Sequence, residues 1–195
     1  MNAKVLLLSA SLLLPGILNA QVVINEIQVA NVDMFIDPSF NYGSWVELYN
    51  PTEQTLSLAG MKLRHTNSEN KVNEQRLTEQ HGILPPKGFV VLWFDHNSKD
   101  GYYGKTAGQQ IPFKMDEEGG LVELYNSRTV LQDAVSYPPA ITRCSFARTE
   151  DGSSTWGVTS VPSPKQTNAG SPFSDERLSM PETDQKGGVF SNPLS

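Results

Sequence analysis

The sequence predicts an all-β domain of the sandwich or barrel type, on three observations. Apolar residues recur with period two in several short runs. Turn residues break the chain at close, regular intervals, and no helical period of useful length occurs. Taken in order, Val23, Ile27 and Val29 are expected on one face against Glu26 and Gln28. Val46 and Leu48 alternate with Trp45, Glu47 and Tyr49. Met61 and Leu63 alternate with Lys62 and Arg64, and Val122 and Leu124 with Leu121, Glu123 and Tyr125. Phe89-Val90-Val91-Leu92-Trp93-Phe94 is apolar on both faces, as for a strand central to the packing. Between these runs lie Asn50-Pro51-Thr52, Pro85-Pro86-Lys87-Gly88, Glu118-Gly119-Gly120 and Asn126-Ser127, all turn chemistry. The stretches 31–43 and 68–80 read as long polar loops on the rim, where binding modules keep their contacts.

The ends differ from the middle. Residues 1–20 place Lys4 ahead of an apolar stretch and close on the small Ala20, the layout of a signal peptide cut before Gln21. Pro15-Gly16 interrupts the stretch, leaving it short of the ~20 apolar residues that span a bilayer. The chain is therefore expected to be exported, to the periplasm, the cell surface or the medium, with no transmembrane segment after cleavage. Residues 21–170 have the length of one domain. Residues 171–195 are rich in Pro, Ser and charge with little alternation, and read as a linker leading to a further domain. The one cysteine, Cys144, cannot form an internal disulfide, so apolar burial must hold the fold, and a small buried residue is its expected role.

The net charge is -6, and removal of Lys4 with the leader makes it more negative. The basic residues are scattered without a run, so phosphate backbones are repelled and nucleic acid is not an expected partner. Catalytic patterns are missing. There is no Gly-x-Ser-x-Gly elbow, and no phosphate loop, since Gly119-Gly120 sits in a hairpin turn with no helix after it. His65, His81 and His96 lack the paired spacing of a zinc site and are expected on the surface or rim. Asp95-His96-Asn97-Ser98-Lys99-Asp100-Gly101 begins like a calcium loop. Lys99 stands at a donor position, Gly101 comes one residue late and no closing Glu follows, so a hairpin loop is the expectation. Asp116-Glu117-Glu118 reads as a solvated acidic turn. No catalytic, cofactor-binding or metal residue is assigned, and no cofactor is implied.

An ordered set of motifs runs across residues 22–170. Val23-Ile24-Asn25-Glu26-Ile27 leads to Trp45-Val46-Glu47-Leu48-Tyr49-Asn50-Pro51-Thr52 and Leu56-Ser57-Leu58-Ala59-Gly60-Met61-Lys62-Leu63. Phe113-Lys114-Met115-Asp116 follows, with Gly119-Gly120-Leu121-Val122-Glu123-Leu124-Tyr125 and Leu131-Gln132-Asp133-Ala134-Val135-Ser136-Tyr137. Ser145-Phe146-Ala147-Arg148-Thr149-Glu150-Asp151-Gly152, Trp156 and Pro162-Ser163-Pro164 before Asn168 close the set. In order and spacing the chain resembles the lamin tail domain, known from nuclear lamins and from exported bacterial proteins. The resemblance implies an immunoglobulin-like β-sandwich. Ala147 and Arg128 depart from it, standing where the family usually or often has Gly.

Each motif also has a physical reading. Asn25 and Asn50 suit strand ends, where a short amide bonds to nearby backbone. Gly60 permits a sharp turn. At least one of Trp45, Trp93 and Trp156 is expected in the core or against an edge. Glu47 and Arg148 either pair across the rim or stay separately solvated. The expected function is a non-catalytic exported module for protein or glycan contact at the cell surface. The alternative is the N-terminal accessory or targeting module of a larger exported enzyme. By resemblance, that enzyme would be a spore-coat-protein-H-like kinase, a nuclease or a phosphatase. A DNA-binding role by analogy with nuclear lamins is disfavoured by charge and export.

Overall fold

A computed structural model describes residues 22–38, 40–94 and 109–174. The leader, the Asp95–Gly101 stretch with His96, and the chain from residue 175 lie outside the described residues. Two sheets form the domain. The larger contains β1 (Val23–Gln28), β2 (Ser44–Tyr49), β7 (Phe89–Phe94), β8 (Gln110–Ile111), β11 (Ser145–Arg148), β12 (Trp156–Thr159) and β13 (Phe173–Ser174), in the order β13-β12-β11-β1-β2-β7-β8. The smaller contains β4 (Lys62–Asn67), β5 (Val72–Arg76), β9 (Gly120–Tyr125) and β10 (Leu131–Tyr137), in the order β10-β9-β4-β5. A short pair, β3 (Leu56–Ser57) with β6 (Ile83–Leu84), stands apart from both. All pairings are antiparallel except β7 with β8.

One core joins the two sheets. Val46 and Leu48 from β2, Val90, Leu92 and Phe94 from β7, and Ile24 and Ile27 from β1 meet Leu63, Val122, Leu124, Val135 and Tyr137 of the smaller sheet. The alternations expected for β2, β4 and β9 hold, because each strand turns one face into this core. The fold is the expected all-β, immunoglobulin-like sandwich.

Three local expectations need correction. In β1 the core residues are Val22, Ile24, Ile27 and Val29, not Val23. Ile24 faces Leu48 but Glu26 faces Glu47, so one extra residue bulges at Asn25 and shifts the parity of the strand. The 68–80 stretch contains β5, whose Val-Asn-Glu-Gln-Arg sequence lacks alternation because it is a solvated edge strand. β7 is buried on both faces, yet it is next to last in its sheet. Its second face is covered by a loop, not by another sheet: Val91 and Trp93 pack with Trp45 under Phe35.

Asn50 organises the end of β2 as expected, whereas Asn25 stands inside β1 at the bulge and donates its amide to Glu47 and Asp151. Asn50 donates to the carbonyls of Gln54 (2.6 Å), Pro85 (2.9 Å) and Leu84 (3.2 Å), and accepts from Thr52 N–H (3.0 Å). Gly60 takes φ +83, and a Cβ there would lie 3.1 Å from that of Ser127. Gly60→Ala should cost about 1–2 kcal/mol, read as a lower urea midpoint at unchanged slope. In the 126–130 turn the left-handed residue is Thr129 (φ 63), one position past Arg128. β13 adds its two residues to the sheet edge beyond residue 170, inside the segment that reads as linker.

Candidate functional site

Two features on the outer face of the larger sheet set this sandwich apart. The first is a buried polar cluster. The bulge turns Asn25 and Glu26 away from the core together, next to Glu47 on β2. Both glutamates are fully buried, at 0 % exposure. Glu26 accepts from the hydroxyl of Ser145 and from the N–H and hydroxyl of Ser163. Glu47 accepts from Asn25 Nδ2 (3.2 Å) and Lys165 N–H (2.5 Å). Asp151 accepts from Asn25 Nδ2 and Asn168 N–H, each at 3.0 Å. Asn168 donates its amide to the carbonyls of Arg148 (2.8 Å) and Asn25 (3.3 Å). Residues 162–168 therefore lie as a strap over β1 and β2, bonded to three carboxylates.

Burial is the dominant influence on these acids. It pushes Glu26 up to about 7 and Glu47 up to about 8, against the opposing pull of their N–H and O–H donors. Each is also raised by the negative charge of Asp151, and Glu47 by that of Glu26. Among the described residues no Lys or Arg forms an ion pair with any of the three. The strap closes over both glutamates and keeps them from solvent. Their chemistry is to hold the strap.

The second feature is the loop 31–43. Buried Asn31 ties its base, donating Nδ2 to the carbonyls of Phe35 (2.7 Å) and Gly43 (3.0 Å) and accepting from Phe35 N–H (3.1 Å). Buried Asp37 accepts from Asn41 N–H (2.8 Å) and from Gln110 Nε2 (3.1 Å). Phe35 points inward onto Trp45, edge to face, with centroids 6.1 Å apart. Val32, Ile36, Phe40 and Tyr42 point outward, at 52, 53, 85 and 46 % exposure. Phe40 is in the left-handed region, φ 64, with its N–H donated to Asp37 O. A bulky residue in that conformation persists only where its surroundings fix it.

Other residues singled out in the sequence fall elsewhere. His65 and His81 are buried, contrary to the expectation of surface histidines. His65 Nε2 meets Tyr137 Oη at 2.8 Å, and the Nδ1 of His81 accepts from Thr78 N–H. Burial lowers both imidazoles below their ordinary pKa. Asp116 caps its own turn, accepting from Ser68 Oγ (2.6 Å), Ser68 N–H and Glu118 N–H, as a solvated turn would. Cys144 is half-buried beside a pocket of about 20 Å³ lined by Ile27, Val29 and Phe146, and burial raises its thiol pKa. Glu47 and Arg148 do not pair. Arg148 instead bonds Asp133 (2.8 Å) and the carbonyls of Ile24 (2.7 Å) and Ser153, and stacks on Trp156 at 4.8 Å. Among the described residues no three of His, Cys, Asp and Glu come together as a metal-holding group. Nor is any described helix long and apolar enough to cross a membrane.

Sequence reading picks out 31–43 as a rim loop suited to contacts but takes it as polar, and it gives no sign of the strap over Glu26 and Glu47. The outer face of β1 and β2, polar in sequence at Glu26, Gln28 and Glu47, is covered by two loops. The available signals were weak: six apolar side chains within 32–42, and two glutamates on strands that pair.

The profile of the lamin tail domain family matches residues 18–139, well over half of the chain, and the chain belongs to that family. Membership fits a non-catalytic binding module. β11, β12 and β13 lie past the matched stretch but complete the sheet through β1. No curated protein is similar enough to count as a match.

Proposed function

We propose that this domain is a non-catalytic, exported interaction module, working at the cell surface through the loop 31–43. The carrying observation is that four apolar side chains stand exposed on one loop whose base is fixed by buried Asn31 and Asp37. A pre-ordered aromatic loop loses little conformational entropy on docking, and aromatic anchors dominate the energy of protein contacts. A cleft of about 450 Å³ continues the surface, with Val32, Tyr42, Met115, Lys114 and Glu117 on its walls. Both charge signs and an apolar floor suit a protein surface or a glycan better than a phosphate backbone.

Binding of the purified chain to envelopes of the source cells tests the reading. Phe40→Ser removes the most exposed anchor without touching the core, so it should weaken binding at least about tenfold while the circular dichroism stays unchanged. Protease treatment of the envelopes should abolish binding to a protein partner, and periodate to a glycan. Equal binding by Phe40→Ser and the wild type would remove the loop from this role.

A further inference from the structure

We propose that residues 162–168 form a pH-operated strap, closed over Glu26 and Glu47 while these are protonated and released as they ionise. The geometry is specific. Three strap amides each donate to a different carboxylate: Ser163 to Glu26, Lys165 to Glu47 and Asn168 to Asp151. Glu26 and Glu47 are direct cross-strand partners, so two acids sit side by side on neighbouring strands under the strap. Like charges placed so close cannot both ionise cheaply out of water.

The groups around the pair supply dipoles but no cation. β1 and β2 contribute the two acids themselves, and β11 contributes the Ser145 hydroxyl. The charged fork of Arg148, on the same strand, is turned to Asp133. The turn after β11 adds Asp151, a third negative group, and Tyr49 on β2 lies against Gly152 of that turn. The strap's one charged residue, Lys165, brings only its main-chain N–H, its side chain being exposed. Nothing on β12 facing the pair is charged.

Both acids are raised in the closed state, to about 7 and about 8. Closure is therefore fully favoured below the ordinary carboxylate range near 4.3, and that preference is lost as pH rises through 7 and 8. Opening the strap returns the carboxylates to water without breaking any sheet pairing. It is a smaller event than unfolding the sandwich. What opens is a patch of three carboxylates, Glu26 on β1, Glu47 on β2 and Asp151 of the turn after β11.

Amide hydrogen exchange of the full chain between pH 5 and pH 8, with intrinsic rates divided out, tests this. Protection at Ser163, Lys165 and Asn168 should fall by about tenfold per pH unit for each carboxylate that ionises. At pH 8 it should lie far below protection at Val46 and Leu92, whose burial in the core should make their exchange require global unfolding. Glu47→Gln, a neutral isostere, should flatten the dependence at Lys165, and Glu26→Gln serves equally if the first variant does not fold. Strap protection that is independent of pH would overturn the proposal. So would strap amides that match Val46 and Leu92 at every pH, or a Gln variant whose profile follows that of the wild type.

Discussion

Arg148→Ala should lower the unfolding free energy by about 3–5 kcal/mol, as for removal of one partner of a buried ion pair. The guanidinium has 9 % side-chain exposure and Asp133 14 %, so neither is shielded by solvent. Four elements converge on this side chain. Its Nε donates to Ile24 O on β1, one terminal nitrogen to Asp133 on β10 and the other to Ser153 O, while its plane stacks on Trp156 of β12. Asp133 also accepts from Ile24 N–H at 2.7 Å, so the pair stitches β10 of the smaller sheet to β1 of the larger. Arg148→Lys restores the charge but not the fork, and should recover only part of the loss. In the double variant with Asp133→Asn, the effects should fall well short of additive, because the second change relieves the stranded carboxylate. Urea unfolding of the wild type and the four variants checks all three statements, and additivity would mean that the two side chains act separately.

Trp45→Ala is the second large effect, a loss of about 3–5 kcal/mol as for large-to-small core truncation. Trp45 is fully buried, yet it belongs to the small cluster on the outer face and not to the main core. Its ring meets Phe35 and Trp93 edge to face, with centroids 6.1 and 6.4 Å away. Its indole N–H donates to Gln28 Oε1 at 2.7 Å, so truncation also strands a buried amide oxygen. Trp45→Phe keeps most of the packing and loses the hydrogen bond, and should cost about half as much. Because Phe35 seats the loop 31–43 on this ring, Trp45→Ala should also weaken partner binding more than its stability loss explains. Binding measured well below the melting temperature separates the two effects, and undiminished binding would show that the loop needs no seat.

The sheets were legible where one face of a strand is buried and the other wet. Met61 with Leu63 and Val122 with Leu124 alternate because they obey that condition, whereas Val46 and Leu48 alternate with Trp45 and Glu47, which are polar or aromatic but buried under loops. β1 was misread by one residue, since the bulge at Asn25 is an unpaired insertion with no hydropathy signature of its own. β5 reads as loop because this edge strand carries the polar Asn73 and Gln75 on its partly covered face, so no apolar face reveals it. The site was less legible still. Glu26 and Glu47 occupy the polar phase of their strands, and what buries them is a strap more than 110 residues away along the chain. Arg148 was offered Glu47 as a partner, but the second bulge, at Gln132, brings Asp133 across to it instead. Such contacts belong to the packing of distant segments, which periodicity does not encode.

A photoreactive benzoylphenylalanine placed in turn at positions 40 and 83, followed by irradiation on source-cell envelopes, tests the binding surface most directly. Both positions are exposed and apolar, at 85 and 60 %, so they differ in place and not in chemistry. The loop 31–43 as contact surface predicts a covalent adduct of one defined size from position 40 and none from position 83. Adducts from position 83 alone, or equally from both, would contradict it.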